Sequence, residues 1–328
     1  MIRIRGLKKW FKTRHGQVEA LRGIDLDVRE REFFVLLGPS GCGKTTTLRC
    51  VAGLERADAG EIDLGGAVVS SPNQGIYVTT EKRDIGMVFQ SYAIWPHMNV
   101  FQNVAFPLIR GRRRVAKSQV AEKVRQALKL VQLDHLVDRP ATELSGGQQQ
   151  RVAMAQLKKI THSIGVTTLY VTHDQAEALS LGDRVCVMNE GEILQTGSPH
   201  EVYSSPNSLF VAQFVGEMNF IHGRVSAAGE VESPLGKFSC AVPRGCEAGR
   251  EVTLAIRPEH LVLRPETARS SEGVAAKVLI KNYLGDAALL EVEACGVSLR
   301  VKLSGDAGFA VGEKVVLVLP QDRWRVFS

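Results

Sequence analysis

Gly38-Pro39-Ser40-Gly41-Cys42-Gly43-Lys44-Thr45-Thr46 fits the phosphate-loop pattern G-x-x-x-x-G-K-[ST] at every position. The apolar run Phe33 to Leu37 ahead of it predicts a buried strand, and Thr46 to Ala52 behind it predicts a helix. Phosphate binding needs that strand–loop–helix context. Glycines let backbone N–H groups approach phosphate oxygens, and the helix start adds a favourable dipole. Ser40, Gly41, Cys42, Gly43 and Thr46 line such a cradle, with Gly38 at its entry. Lys44 is placed to neutralise β- and γ-phosphates, and Thr45 to hold Mg²⁺. A turn that only reverses the chain requires none of this Lys-Thr chemistry.

Leu144-Ser145-Gly146-Gly147-Gln148 forms a second motif. Read alone it is a capped helix start, with Ser145 as N-cap and two glycines exposing N–H groups. Downstream of a phosphate loop it resembles the signature of ATP-binding-cassette (ABC) proteins. That resemblance implies an α/β P-loop ABC ATPase domain with a helical subdomain, using ATP and Mg²⁺. It also implies a head-to-tail homodimer, in which Ser145, Gly146, Gly147 and Gln148 close on the γ-phosphate held by the other copy. Gln90, in Met87-Val88-Phe89-Gln90, resembles the Q-loop glutamine that senses Mg²⁺ and the membrane partner. His173 resembles the switch histidine that contacts the γ-phosphate. It follows the apolar run Leu169 to Thr172, and ligands of open α/β sheets collect at the carboxyl ends of strands. The adenine platform matches Phe11 or, before Gly16, His15; either aromatic could instead cover a sheet edge.

One family element has no counterpart. The resemblance implies an apolar strand ending in Asp-Glu between the signature helix and the switch histidine, Asp binding Mg²⁺ through water and Glu polarising the attacking water. Here Met154-Ala155 runs into Gln156-Leu157-Lys158-Lys159-Ile160, and no acidic residue occurs between Glu143 and Asp174. Roughly thirty residues are absent by comparison with the family, and the short join cannot hold a strand with its crossover. Three readings stay open: residues present in the gene but not in this sequence, a real internal deletion, or a natural variant that does not hydrolyse ATP.

The rest of the chain fits a two-domain protein. Its 328 residues are 44% hydrophobic and 23% charged, within the ordinary range for globular domains. No apolar run approaches the roughly 18 residues that cross a bilayer, and the N-terminus lacks a signal-peptide core. The six cysteines show no paired metal spacing and read as reduced thiols of a cytosolic compartment. The net charge of +6 is concentrated in Arg110-Gly111-Arg112-Arg113-Arg114, a solvated basic run. No zinc pattern, recognition helix or aromatic-interleaved basic strand accompanies it, so no nucleic acid partner is expected.

Residues 1–218 carry every nucleotide motif, with the helical subdomain at about 98–155. Val120, Val124, Leu128 and Val131 share one helical face there, and Trp95 stands at its entry, to dock a membrane partner or to pack between subdomains. Residues 219–328 switch to short β-branched runs punctuated by glycine, among them Val252 to Arg257, Gly273 to Ile280, Ala288 to Glu293 and Val297 to Leu303. Ile256-Arg257-Pro258-Glu259 and Tyr283-Leu284-Gly285-Asp286 resemble the all-β OB-like C-terminal domain of importer ATPases, which serves dimer contact and regulation. The resemblance therefore implies the ATP-binding subunit of an importer, peripheral on the cytoplasmic face of the inner membrane. Its partners would be membrane subunits, a second copy and, indirectly, a solute-binding protein. Phe214 to Val225 resembles the junction of polyamine- and iron-type importers more than that of sugar importers.

Overall fold

The structure, a computed structural model, describes residues 1–14, 16–85, 98–99, 101–102, 105, 109, 116–130, 165–243, 245–266, 273–305 and 308–328. The chain forms two compact units, Met1–Ser204 and Ser205–Ser328.

Among the described residues the first unit contains two sheets. β1 (Ile2–Thr13) and β2 (Gly16–Val28) form a long antiparallel hairpin with register shifts along it, in which Ile4, Leu7, Leu21 and Ile24 are buried. β3 (Phe33–Leu37) follows, then α1 (Lys44–Ala52), β4 (Ala59–Leu64), β5 (Ala67–Ser71) and β6 (Ile76–Tyr77). β1 and β2 join β4, β5 and β6 in the order β2-β1-β4-β5-β6. After α2 (Lys117–Leu130) come β7 (Thr168–Thr172), α3 (Gln175–Leu181), β8 (Arg184–Asn189), β9 (Glu192–Gly197) and α4 (Pro199–Ser204). The second sheet has the order β7-β3-β8-β9, with β3 parallel to both neighbours and β9 antiparallel to β8.

All five residues of β3 are buried, as expected of a strand covered on both faces, where the sequence reads as a continuous apolar run. On α2 the expected inner face is seen at Val120 and Val124, both buried; the Leu128 side chain and Val131 lie outside the described residues. Trp95 and the basic run 110–114 also lie outside them. Asp174 caps α3 by accepting from the backbone N–H of Glu177 at 3.0 Å.

The second unit opens with α5 (Leu209–Phe214), capped by Ser208, and its first strand begins at Asn219. β10 (Asn219–Val225), β11 (Val231–Ser233), β12 (Gly236–Phe238) and β13 (Glu251–Ile256) come first. β14 (Val262–Pro265), β15 (Val274–Tyr283), β16 (Ala287–Ala294), β17 (Val297–Ser304), β18 (Lys314–Val318) and β19 (Arg325–Phe327) complete it. They form two five-stranded antiparallel sheets, β12-β11-β10-β13-β19 and β14-β18-β15-β16-β17, around one apolar core that includes Leu254, Val278, Leu290 and Trp324. Asn219 ties the sheets together: its amide donates to the Arg300 carbonyl at 2.7 Å and accepts from the Arg300 N–H at 2.8 Å. From Asn219 onward the fold is all-β and OB-like, as the sequence predicts.

Candidate nucleotide site

β3 delivers the chain to Gly38, where only glycine fits. A Cβ there would stand 2.3 Å from the Met188 carbonyl oxygen on β8 and 2.6 Å from the Cys42 sulfur. The loop then turns through Ser40 and Gly41, both exposed, to Gly43, which caps α1 with φ 102°. A Cβ on Gly43 would lie 2.7 Å from the Ala20 carbonyl, so β2 packs directly beneath the loop. Around Gly41, by contrast, a Cβ would meet nothing within 4 Å, which leaves room for phosphate oxygens. The first turn of α1 carries no acidic residue, so its positive end is unopposed.

Lys44 is 8% exposed. Its Nζ donates to the carbonyls of Gly38 at 2.7 Å and Pro39 at 2.8 Å, and lies 3.5 Å from Cys42 Sγ. A buried ammonium has to be partnered, and here the loop's own carbonyls partner it. Phosphate oxygens, being charged, form stronger bonds with such a group. Thr45 is exposed beside it and Thr46 half-buried, while the Thr47 hydroxyl donates to the Gly43 carbonyl at 3.0 Å and closes the helix start. Mg²⁺ in nucleotide sites binds through phosphates and keeps several waters, so the Thr45 hydroxyl fits as the loop's own ligand. Cys42 is 2% exposed, and its carbonyl accepts from the Gly191 N–H at 3.1 Å, which makes it a packed residue of the loop.

The sheet register brings His173 to the same edge. Leu37 pairs with Thr172, so His173 and Gly38 each stand one residue beyond that pair, at the carboxyl ends of parallel strands. His173 is exposed. Hydrogen bonds bracket it: the Thr172 hydroxyl donates to Glu177 Oε2 at 2.6 Å and accepts from the Asp174 N–H at 3.0 Å. The Tyr170 hydroxyl reaches the same carboxylate oxygen at 3.2 Å. Glu177 was missed in the sequence; its signal is the Asp174-x-x-Glu177 helix-start spacing.

Phe11 is 38% exposed and pairs with Val18, itself 54% exposed, two residues before the Ala20 that supports Gly43. An open apolar pair thus stands on the hairpin that packs against the phosphate loop, with the Lys9 ammonium 5.0 Å from the Phe11 ring centroid. Val18 carried no sequence signal of its own. His15, Gln90, Ser145, Gly146, Gly147 and Gln148 lie outside the described residues. Among the described residues no group of three metal-binding side chains occurs, and no helix is long and apolar enough to cross a membrane.

A phosphate loop between a buried parallel strand and a helix, with a histidine at the same sheet edge, defines a P-loop nucleotide-binding protein. Residues 21–161 match the ABC transporter family and residues 254–327 the TOBE domain. The trehalose/maltose import ATP-binding protein MalK of Thermococcus litoralis is 39% identical over 355 residues, covering 95% of this chain and 94% of that protein. The spermidine/putrescine import ATP-binding protein PotA of Hahella chejuensis is 41% identical over 302 residues, covering 81% of this chain and 80% of that protein. Among solved structures, the dimeric ATP-binding cassette MJ0796 bound to ADP and Pi superposes with a TM-score of 0.50 at 26% identity, covering 61% of this chain and 99% of that one. The chain belongs to the ABC transporter family, as an import ATP-binding subunit with a C-terminal OB-like domain.

Proposed function

We propose that this chain binds ATP–Mg²⁺ through Lys44, Thr45 and the loop N–H groups, with adenine on Phe11 and His173 facing the γ-phosphate. The carrying observation is the register that sets His173 beside Gly38. A pair of such sites, each completed by Ser145, Gly146, Gly147 and Gln148 of the second copy, would clamp two nucleotides and move the membrane subunits of an importer. Gln90 would report Mg²⁺ occupancy to those subunits, and a solute-binding protein would act through them. The subunit would sit peripherally on the cytoplasmic face of the inner membrane. Lys44→Ala should weaken ATP binding by about 10- to 100-fold, the loss of one charge-assisted contact of about 1.5–3 kcal/mol. Unchanged affinity by calorimetry would remove Lys44 from the site.

For hydrolysis, His173 and Gln90 can orient groups around the γ-phosphate, but neither replaces a carboxylate that polarises water. We therefore assign the complete family protein an ATPase activity and this sequence at most a residual one. One observation supports a missing strand-bearing segment. β7 is half-exposed along Thr168 to Val171 and, among the described residues, pairs with β3 alone. Rapid turnover by a preparation whose intact mass matches 328 residues would refute the assignment; a nucleotide-binding regulatory subunit is the second reading.

For the solute, the junction Phe214 to Val225 favours a polyamine, ferric iron or a related small ion over a sugar. Relatives named for spermidine/putrescine and for trehalose/maltose are similarly close, at 41% and 39% identity. Solute-stimulated ATPase of the reconstituted complex decides it: a response to maltose and none to polyamine or iron would reverse the order.

A further inference from the structure

Arg83 is 3% exposed, and its guanidinium faces backbone carbonyls. Nη1 donates to the carbonyls of Cys50 at 2.7 Å and Val51 at 2.6 Å, both in the last turn of α1. Nε donates to the Val78 carbonyl at 2.8 Å and Nη2 to the Val69 carbonyl at 3.3 Å. No carboxylate pairs with it among the described residues. Tyr77 completes the group. Its hydroxyl donates to the Gly53 carbonyl at 2.7 Å, and its ring centroid lies 5.7 Å from the Arg83 guanidinium carbon and 4.3 Å from that of Arg56. Gly53 terminates α1 at φ 75°, and a Cβ there would strike Arg83 Nε at 2.7 Å, so the close approach requires glycine.

The last carbonyls of a helix have no intrahelical donors, and its C-terminus carries partial negative charge. Arg83 supplies both donors and positive charge there. A buried cation is costly without such partners, so this arrangement needs a reason. α1 is nine residues long, about 13 Å at 1.5 Å per residue. A rod that short transmits any tilt at one end to the other, and its other end carries Lys44 and Thr45.

We infer that Arg83, together with Tyr77, is a positioning clamp for the nucleotide site, fixing the far end of the helix whose near end holds the phosphates. The inference rests on the nucleotide-binding reading above. The clamp acts on phosphates through α1 and not on adenine, which the β1–β2 hairpin would contact. It therefore affects nucleotides according to how many phosphates reach Lys44.

The test measures displacement of a fluorescent ATP analogue by MgATP and by AMP, which has no β- or γ-phosphate, in the full chain. Arg83→Met is expected to weaken MgATP about tenfold while AMP shifts by less than about twofold, with Arg83→Lys recovering part of the loss. Tyr77→Phe, which removes one hydroxyl, should move MgATP in the same direction by about two- to threefold. A purely structural role predicts a lower melting temperature with an unchanged ATP-to-AMP ratio in the folded fraction, and that result overturns the inference. Should Arg83→Met not fold, Tyr77→Phe decides: an unchanged ratio there also overturns it. Failure of the unsubstituted chain to bind MgATP would overturn the nucleotide reading and the clamp together; normal binding with insensitive variants would overturn the clamp alone.

Discussion

β3 and β7 are parallel neighbours, each ending one residue before a residue of the candidate nucleotide site, yet their composition and surroundings differ. β3 is buried at all five positions, whereas β7 is buried only at Thr172. β3 has a strand on each side, β7 and β8; among the described residues β7 has only β3. The difference in burial runs with composition as well as with neighbours: β3 reads Phe-Phe-Val-Leu-Leu, whereas β7 reads Thr-Leu-Tyr-Val-Thr. We propose that the strand implied by the family resemblance, between the signature helix and His173, is missing from this sequence at the join Ala155 to Leu157.

The strongest way to break this comparison is to fill the gap. Inserting the corresponding strand-bearing segment of a relative between Ala155 and Gln156 should raise ATP turnover by about 10²- to 10⁴-fold, the usual effect of a general base or electrostatic group. It should also protect Leu169 and Val171 from hydrogen exchange. Equal turnover with and without the insert would show that the chain already holds its catalytic carboxylate.

Stability should separate the two strands next. Leu36 is fully buried, so Leu36→Ala is expected to cost about 2–5 kcal/mol. Leu169 is half-buried on β7, and Leu169→Ala should cost roughly half as much, because less apolar surface leaves water on folding. Denaturant melts of both variants check the order; equal losses would mean that β7 is covered as well as β3.

The smallest effect concerns two buried thiols of the first unit. Burial pushes the Cys186 thiol on β8 up to about 12 and the Cys50 thiol on α1 up to about 11. Only the thiolate is nucleophilic, so at pH 8 both should resist maleimide while exposed Cys295 reacts. The sign for stability follows from the raised values. The contribution of the neutral thiols is fully present below the unfolded cysteine pKa, near 8.5, and is lost as pH rises toward about 11–12. Peptide mass mapping after brief labelling gives the order of reactivity, and rapid labelling of Cys186 in the folded chain would contradict its burial.

Much of the nucleotide site was legible locally. The pattern Gly38 to Thr46, the strand Phe33 to Leu37 and the strand before His173 all stand where their sequences place them, because each is specified by contiguous residues. The longer β-runs of the second unit were legible for the same reason, through alternation within each run. The three-residue strands β11, β12 and β19 were not, since three residues hold too little pattern to distinguish a strand from a loop. Arg83 was also invisible. Its partners Cys50, Val51, Val69 and Val78 contribute carbonyls, which every residue has, so no side-chain spacing records the contact.

By itself the sequence determined the strand–loop–helix frame of the candidate phosphate loop, since Gly-x-x-x-x-Gly-Lys-Thr needs only a strand before it and a helix after it. It also determined the two-part organisation, through the change from nucleotide motifs to short β-runs. Only the tertiary structure decided which residues meet. It set His173 beside Gly38 through the β3–β7 register, Ala20 beneath Gly43, and Arg83 against the end of α1. These contacts join residues far apart in the chain, and their free energy comes from burial and carbonyl hydrogen bonds formed only when the sheets and α1 pack together.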